Sequence, residues 1–164
     1  MSLSKHLFKE VYLVGVDHTV CDSGELAAFD SLADLLEHLR YKSPSIASDT
    51  RVVHGVLTSA RSIPGDLGGR TVFLVVCDSD VPKHGVLLDS DAETPSDLAK
   101  EIELVMENPE VIEIINIDDI FILYGYEINT CLAVDEDDFD EDMIKECLAV
   151  AKAAQDQLKK SGEN

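Results

Sequence analysis

Apolar and polar positions alternate well enough over Val11–Val20 (VYLVGVDHTV) to predict a strand, and Cys21–Gly24 then reads as a turn into a short return strand, Glu25–Phe29. The period changes after Asp30. Leu32, Leu35, Leu36 and Leu39 recur at i, i+3, i+4 and i+7, one apolar stripe of a helix, and Ser31 with Asp34 three residues on has the form of a capping box. Tyr41–Thr50, which holds Ser43-Pro44-Ser45, reads as a loop. Arg51–Leu57 and Thr71–Cys77 are the next two strands. The linker Thr58–Arg70 is too short for a crossover helix, so the two are expected to pair antiparallel. VFLVVC at Val72–Cys77 is apolar on both faces, which predicts a central strand.

Gly85–Leu88 is a short strand leading to a second helix, with Thr94 as its cap, Pro95 at the first helical position and Asp97 completing the box. Leu98, Ile102, Val105 and Met106 form its inward stripe, and Pro109 ends it near Asn108. Val111–Ile117 and Ile120–Ile128 flank Asp118-Asp119 and read either as a hairpin, the favoured form, or as one long bulged strand, followed by a strand at Cys131–Val134. A last helix runs from about Phe139 to Lys159, with Met143, Ile144, Cys147, Leu148, Ala151 and Leu158 inward. These elements define an α+β class, a mainly antiparallel sheet of about six to eight strands with three helices packed on it.

The 164 residues suit a single domain, 1–164, with residues 1–9 and 160–164 expected as frayed ends. With five Phe, four Tyr and no Trp, the core must be built from Val, Leu and Ile. The longest apolar runs, such as Val72–Cys77, are far too short to span a bilayer, and the N-terminus lacks a signal peptide's apolar stretch. Cys21, Cys77, Cys131 and Cys147 form no CxxC or zinc pattern and read as reduced thiols of a cytoplasmic protein.

Charge divides the chain in two. Of the formal net charge of −20, residues between Lys83 and Lys145 supply −18, from nineteen acidic side chains and one basic one. Such a field repels nucleic acid and anionic membrane, and it attracts cations or basic protein surfaces.

Five constellations are candidates for chemistry. Asp17, Asp78 and Asp80 follow apolar strands, and clustered carboxylates of this kind hold a divalent cation in phosphoryl-transfer folds; the competing reading is a plain turn. Asp135–Asp142 resembles a calcium loop, but Asp140 stands where that loop needs Gly, so a helix start rich in negative charge fits better. Cys77 or Cys21 beside His18, His54 or His84 suggests a nucleophile, although the adjacent Asp78 and Asp22 would raise a thiol's pKa. Arg40, Lys42, Arg51, Arg61, Arg70 and Lys83 offer an anion grip or else pair with the acidic half. Finally, Asp97, Glu101, Asp135, Asp137, Asp138, Asp140 and Asp142 suggest one acidic surface for a partner.

The leading expectation is therefore a non-enzymatic interaction or regulatory protein without a cofactor, whose acidic surface docks a basic partner, including as a nucleic-acid mimic. Two alternatives stand beside it. One is a small metal-dependent hydrolase or phosphoryl-transfer enzyme using Asp17, Asp78 and Asp80 with a divalent cation. The other is a homo-oligomer joined through an apolar edge in Val111–Tyr126.

Overall fold

A computed structural model of the protein describes residues 2–16, 24–42, 50–63, 72–77, 83–107, 117–128 and 141–160. In chain order its elements are β1 (Glu10–Val16), β2 (Gly24–Glu25), β3 (Ala27–Phe29), α1 (Leu32–Lys42), β4 (Thr50–Ser59), β5 (Val72–Cys77), β6 (His84–Asp89), α2 (Pro95–Glu107), β7 (Ile120–Ile128) and α3 (Glu141–Lys160). Short 3-10 turns lie at Ser2–His6 and Ile117–Asp119. The α+β class holds, with a mainly antiparallel sheet and three helices.

The strands are ordered β2-β6-β5-β7-β4-β1-β3, and each neighbouring pair is antiparallel. β2 and β3 are successive pieces of one extended segment. The first piece bonds β6 and the second bonds β1, with Leu26 N between them donating to Lys83 O at 2.8 Å. One segment thus joins the two ends of the sheet, which closes into a barrel of six antiparallel lines without a free edge among the described pairings.

Side chains alternate across such a wall. Val11, Leu13, Val53, Leu57, Phe73, Val75, Leu87, Phe121 and Leu123 point inward and fill the barrel with Leu26. The opposite face is buried too, because helices cover it. Leu98, Ile102 and Val105 of α2 and Ile144, Cys147 and Ala151 of α3 pack on Val56, Leu74, Val76, Val86, Ile122 and Tyr124. Leu35 of α1 packs on Tyr12, Val14, Val52 and Ile128. This double burial is the reason VFLVVC is apolar at every position.

Both predicted caps are present. Asp34 N donates to Ser31 Oγ at 3.2 Å, and Asp97 N donates to Thr94 Oγ1 at 3.2 Å. Gly55 of β4 faces Gly125 of β7 across the ladder. A Cβ on Gly125 would lie 2.1 Å from His54 O, and one on Gly55 would lie 2.3 Å from Tyr124 O. Only glycine allows the two backbones this approach.

Several expectations are corrected. β4 and β5 do not pair with each other; β7 lies between them and is antiparallel to both, so β4 and β5 run parallel. Val56 and Val72 flank the same Tyr124, so the linker steps back along β4 only from Ser59 to the level of Val56. That short step needs no helix. The reading of VFLVVC as a central strand holds: β5 is paired on both sides, by β6 and β7, and is buried at every position. β4 and β5 occupy both sides of β7 over Phe121–Tyr124, so this stretch has no free edge for strand pairing with a second copy. Ile117 belongs to a 3-10 turn, while 108–116 and the expected strand Cys131–Val134 lie outside the described residues. Met106 and Leu148, read as inward, are exposed because each sits on the flank of its helix stripe. The first residues are docked: Leu3 is buried in the barrel cluster, Leu7 bridges Leu57, and Phe8 N donates to Leu57 O at 2.7 Å.

Candidate functional site

The two faces of β4 carry two different polar constellations. Arg51 points inward at the barrel mouth and is buried. Its Nε donates to Glu127 Oε2 at 2.9 Å, and its Nη2 reaches Asp89 Oδ1 and Glu127 Oε1, each at 2.8 Å. Cζ lies 5.5 Å from the Phe73 ring centroid. Glu127 comes from the neighbouring β7 and Asp89 from β6, three places along the sheet order, so the guanidinium straps the mouth. Hydrogen bonding to Glu127 outweighs the opposing effect of burial, and with Asp89 it pushes the Arg51 pKa above its ordinary value.

The outer face carries a row of three rings. Tyr12, His54 and Tyr126 are direct cross-strand partners on β1, β4 and β7. The His54 ring stacks on Tyr12 with centroids 4.4 Å apart and planes within 2°, and it meets Tyr126 edge-on at 5.2 Å. His54 Nδ1 is 2.6 Å from the Tyr126 hydroxyl, and its Nε2 is 3.5 Å from Glu10 Oε2. The imidazole is 1% exposed, whereas Glu10 and Tyr126 are only half-buried. The chain of groups therefore runs from a solvated carboxylate through a buried imidazole to a phenol near the surface.

Burial, followed by the Glu10 carboxylate, pushes the Tyr12 phenol up to about 12, and burial does the same to Tyr124. A phenol with a folded pKa above its ordinary value of 10.0 stabilises the fold below that pH, and this contribution is lost as pH rises through about 12. An ultraviolet absorbance titration followed alongside circular dichroism checks this. Tyr12 and Tyr124 are expected to ionise only near pH 12, together with loss of the fold, whereas in urea all four tyrosines titrate in one wave near 10.

Asp17, Asp78 and Asp80 lie outside the described residues, but the strands that lead to them are placed. β1 and β5 are separated by β7 and β4 and run in opposite directions, so Val16 and Cys77 end at opposite mouths of the barrel. These are not carboxyl ends of adjacent strands, which removes the rationale for grouping the three aspartates. No metal-binding group of His, Cys, Asp and Glu occurs among the described residues.

Cys77 points into the barrel and His54 points out of it, so the two form no nucleophile pair. Burial, followed by the Asp119 carboxylate, pushes the Cys77 thiol up to about 12. Cys21 and His18 lie outside the described residues. Two of the basic residues pair with the acidic half: Arg51 as above, and Arg61 Nε with Asp118 Oδ1 at 2.5 Å, which lowers the Asp118 pKa. Lys83 is exposed, and Arg70 lies outside the described residues.

Of the acidic surface, Asp97 and Asp142 are exposed, while Asp135, Asp137, Asp138 and Asp140 lie outside the described residues. Glu101 faces a loop instead, accepting from Asp91 N at 3.0 Å and from Ser90 Oγ. The ring row was not foreseen. Its signal is a histidine at an outward position of an otherwise apolar strand, but the partner tyrosine is 72 residues away.

The class defined is an antiparallel barrel with helices over its outer face, a strapped mouth and a carboxylate–imidazole–phenol row. Comparison with protein-family models, with characterised proteins and with solved structures finds no match to this chain. No helix among the described residues is long and apolar enough to cross a membrane.

Proposed function

We propose that the protein docks a basic protein partner through its acid-rich side. The observation that carries this reading is the common seat of α2 and the start of α3 on one apolar cluster, with carboxylates turned outward from both. Asp97, Glu103 and Glu107 of α2 and Glu141, Asp142 and Glu146 of α3 are exposed. Among the described residues no cation pairs with Asp97, Glu103 or Glu107, whereas acids elsewhere in this half are engaged by Arg51 and Arg61. Leu104 stands 64% exposed among the α2 carboxylates, an apolar contact inside a charged field. Lys145 and Lys152 dilute the acidity further along α3, so α2 is the stronger half. Such a surface steers a cationic partner and sets the register of docking, and its affinity falls with salt.

A fluorescent Lys-rich peptide serves as the probe. Binding at low salt, weakening steeply as salt rises, is expected. The triple variant Asp97→Lys, Glu103→Lys, Glu107→Lys is expected to weaken it by about tenfold or more, by analogy with rim charges that set association. An equal number of reversals on the α1 side, at Glu25, Asp34 and Glu37, should cost much less. Equal losses from the two sets would mean that only net charge matters, and the docking surface would be abandoned.

A further inference from the structure

Beyond partner docking, the Tyr12–His54–Tyr126 row and Glu10 have the parts of an activated hydroxyl. With the Nε2–H tautomer facing Glu10 Oε2 at 3.5 Å, His54 Nδ1 is left as an acceptor 2.6 Å from the Tyr126 hydroxyl. A base within hydrogen-bond reach of a hydroxyl is the general arrangement for raising nucleophilicity, and here the Glu10 carboxylate stands at ion-pair distance from the far nitrogen of that base. Stacking on Tyr12 at 4.4 Å and 1% exposure fix the imidazole plane and keep water from competing for Nδ1. Tyr126 is the half-buried end of the row, whereas His54 is 1% exposed. Tyr12 differs, because its hydroxyl donates to Glu10 Oε1 at 3.4 Å, a longer contact than the 2.6 Å between Tyr126 and Nδ1.

We propose that Glu10, His54 and Tyr126 form a proton relay that makes Tyr126 an acyl acceptor for small activated esters. In the step, the Tyr126 O–H bond breaks and its proton moves to His54 Nδ1 while the phenol oxygen bonds the ester carbonyl carbon. The bond from that carbon to the leaving oxygen then breaks, and the departing alcohol takes the proton from Nδ1. The net change is ester plus tyrosine giving acyl-tyrosine plus alcohol, with no oxidant or cofactor. Tyr126 is the reacting group, His54 the general base, and Glu10 a positioning residue that acts through His54.

The test incubates the full chain with p-nitrophenyl acetate at mildly alkaline pH and maps acetyl groups by peptide mass spectrometry over time. Tyr126 is expected to acetylate about 10²-fold faster in the folded chain than in urea, the usual scale of a positioned general base. Tyr12 should stay unlabelled while the fold persists. His54→Gln should remove the acceleration, Glu10→Gln should reduce it, and Glu10→Asp should restore part of it, a rescue that a packing role would not produce. Equal rates at Tyr126 in folded and unfolded natural chains overturn the proposal, whatever becomes of the His54 variant. So does an unchanged rate in a folded Glu10→Gln or His54→Gln protein.

Discussion

Gly125→Ala is expected to cost about 3 kcal/mol or more, the upper end for a group forced into packed space, and to leave little folded protein at physiological temperature. The added methyl would sit 2.1 Å from His54 O and 2.6 Å from Gly55 Cα. Both are backbone atoms of the adjacent strand, so no rotamer change relieves the clash. β4 and β7 must separate, and with them the pairing from Ser59–Phe121 to Val52–Ile128 that runs through the middle of the barrel. Gly15→Ala is the control. Its methyl would meet the side-chain atoms Leu26 Cδ1 at 3.0 Å and Leu87 Cγ at 3.2 Å, which can give way. A cost of about 1 kcal/mol is expected there. Urea denaturation of both variants decides the matter, and similar midpoints would show that the Gly55–Gly125 approach is not what shapes the barrel.

The contrast also shows how much of the architecture is legible in the chain. α1 and α2 can be read because their signals are local: Ser31 with Asp34, and Thr94 with Pro95 and Asp97, lie within one helical turn of the stripes they start. The strands can be read as strands, but their order cannot. β7 enters between β4 and β5 from more than forty residues downstream of β5, a choice made by matching faces across the whole barrel. An apolar run such as Val72–Cys77 says that both faces are covered, not whether sheet, helix or barrel interior covers them. The break at Leu26, which closes the barrel, looks like one ordinary return strand in the sequence.

The sites divide in the same way. Regional acidity is visible in composition, and α2 presents its Asp97, Glu103 and Glu107 outward as a stripe analysis requires. The grouping of Asp17 with Asp78 and Asp80 needs the ends of β1 and β5 side by side, and the strand order puts those ends at opposite mouths of the barrel. Arg51 and His54 differ by three positions, so the strand period puts them on opposite faces, one toward Glu127 and Asp89 and one toward Glu10 and Tyr126. Neither environment can be inferred without the pairing of β4 to β7. The barrel wall thus separates the Arg51 charge cluster at the mouth from the Tyr12–His54–Tyr126 ring row on the outer face.

Arg51→Met is the sharper probe of that seal. The variant keeps an unbranched aliphatic side chain but removes the guanidinium over the Phe73 ring and three charge-assisted hydrogen bonds of 2.8–2.9 Å to Glu127 and Asp89. Breaking a fully enclosed pair costs about 3–5 kcal/mol, but here the two carboxylates keep much of their water. A loss of about 2–3 kcal/mol is therefore expected, or roughly 5–10 °C in Tm for a chain of this size. Arg51→Lys should recover only part of it, since an ammonium cannot bridge Glu127 bidentately while also reaching Asp89. Glu127→Gln should cost more than Asp89→Asn, because Glu127 accepts two of the three bonds. Melting curves of the four variants at low and high salt test the ranking. If Arg51→Met melted with the natural chain, the mouth would be held by its apolar ring of Phe73 and Leu87 alone, with the buried guanidinium contributing nothing net.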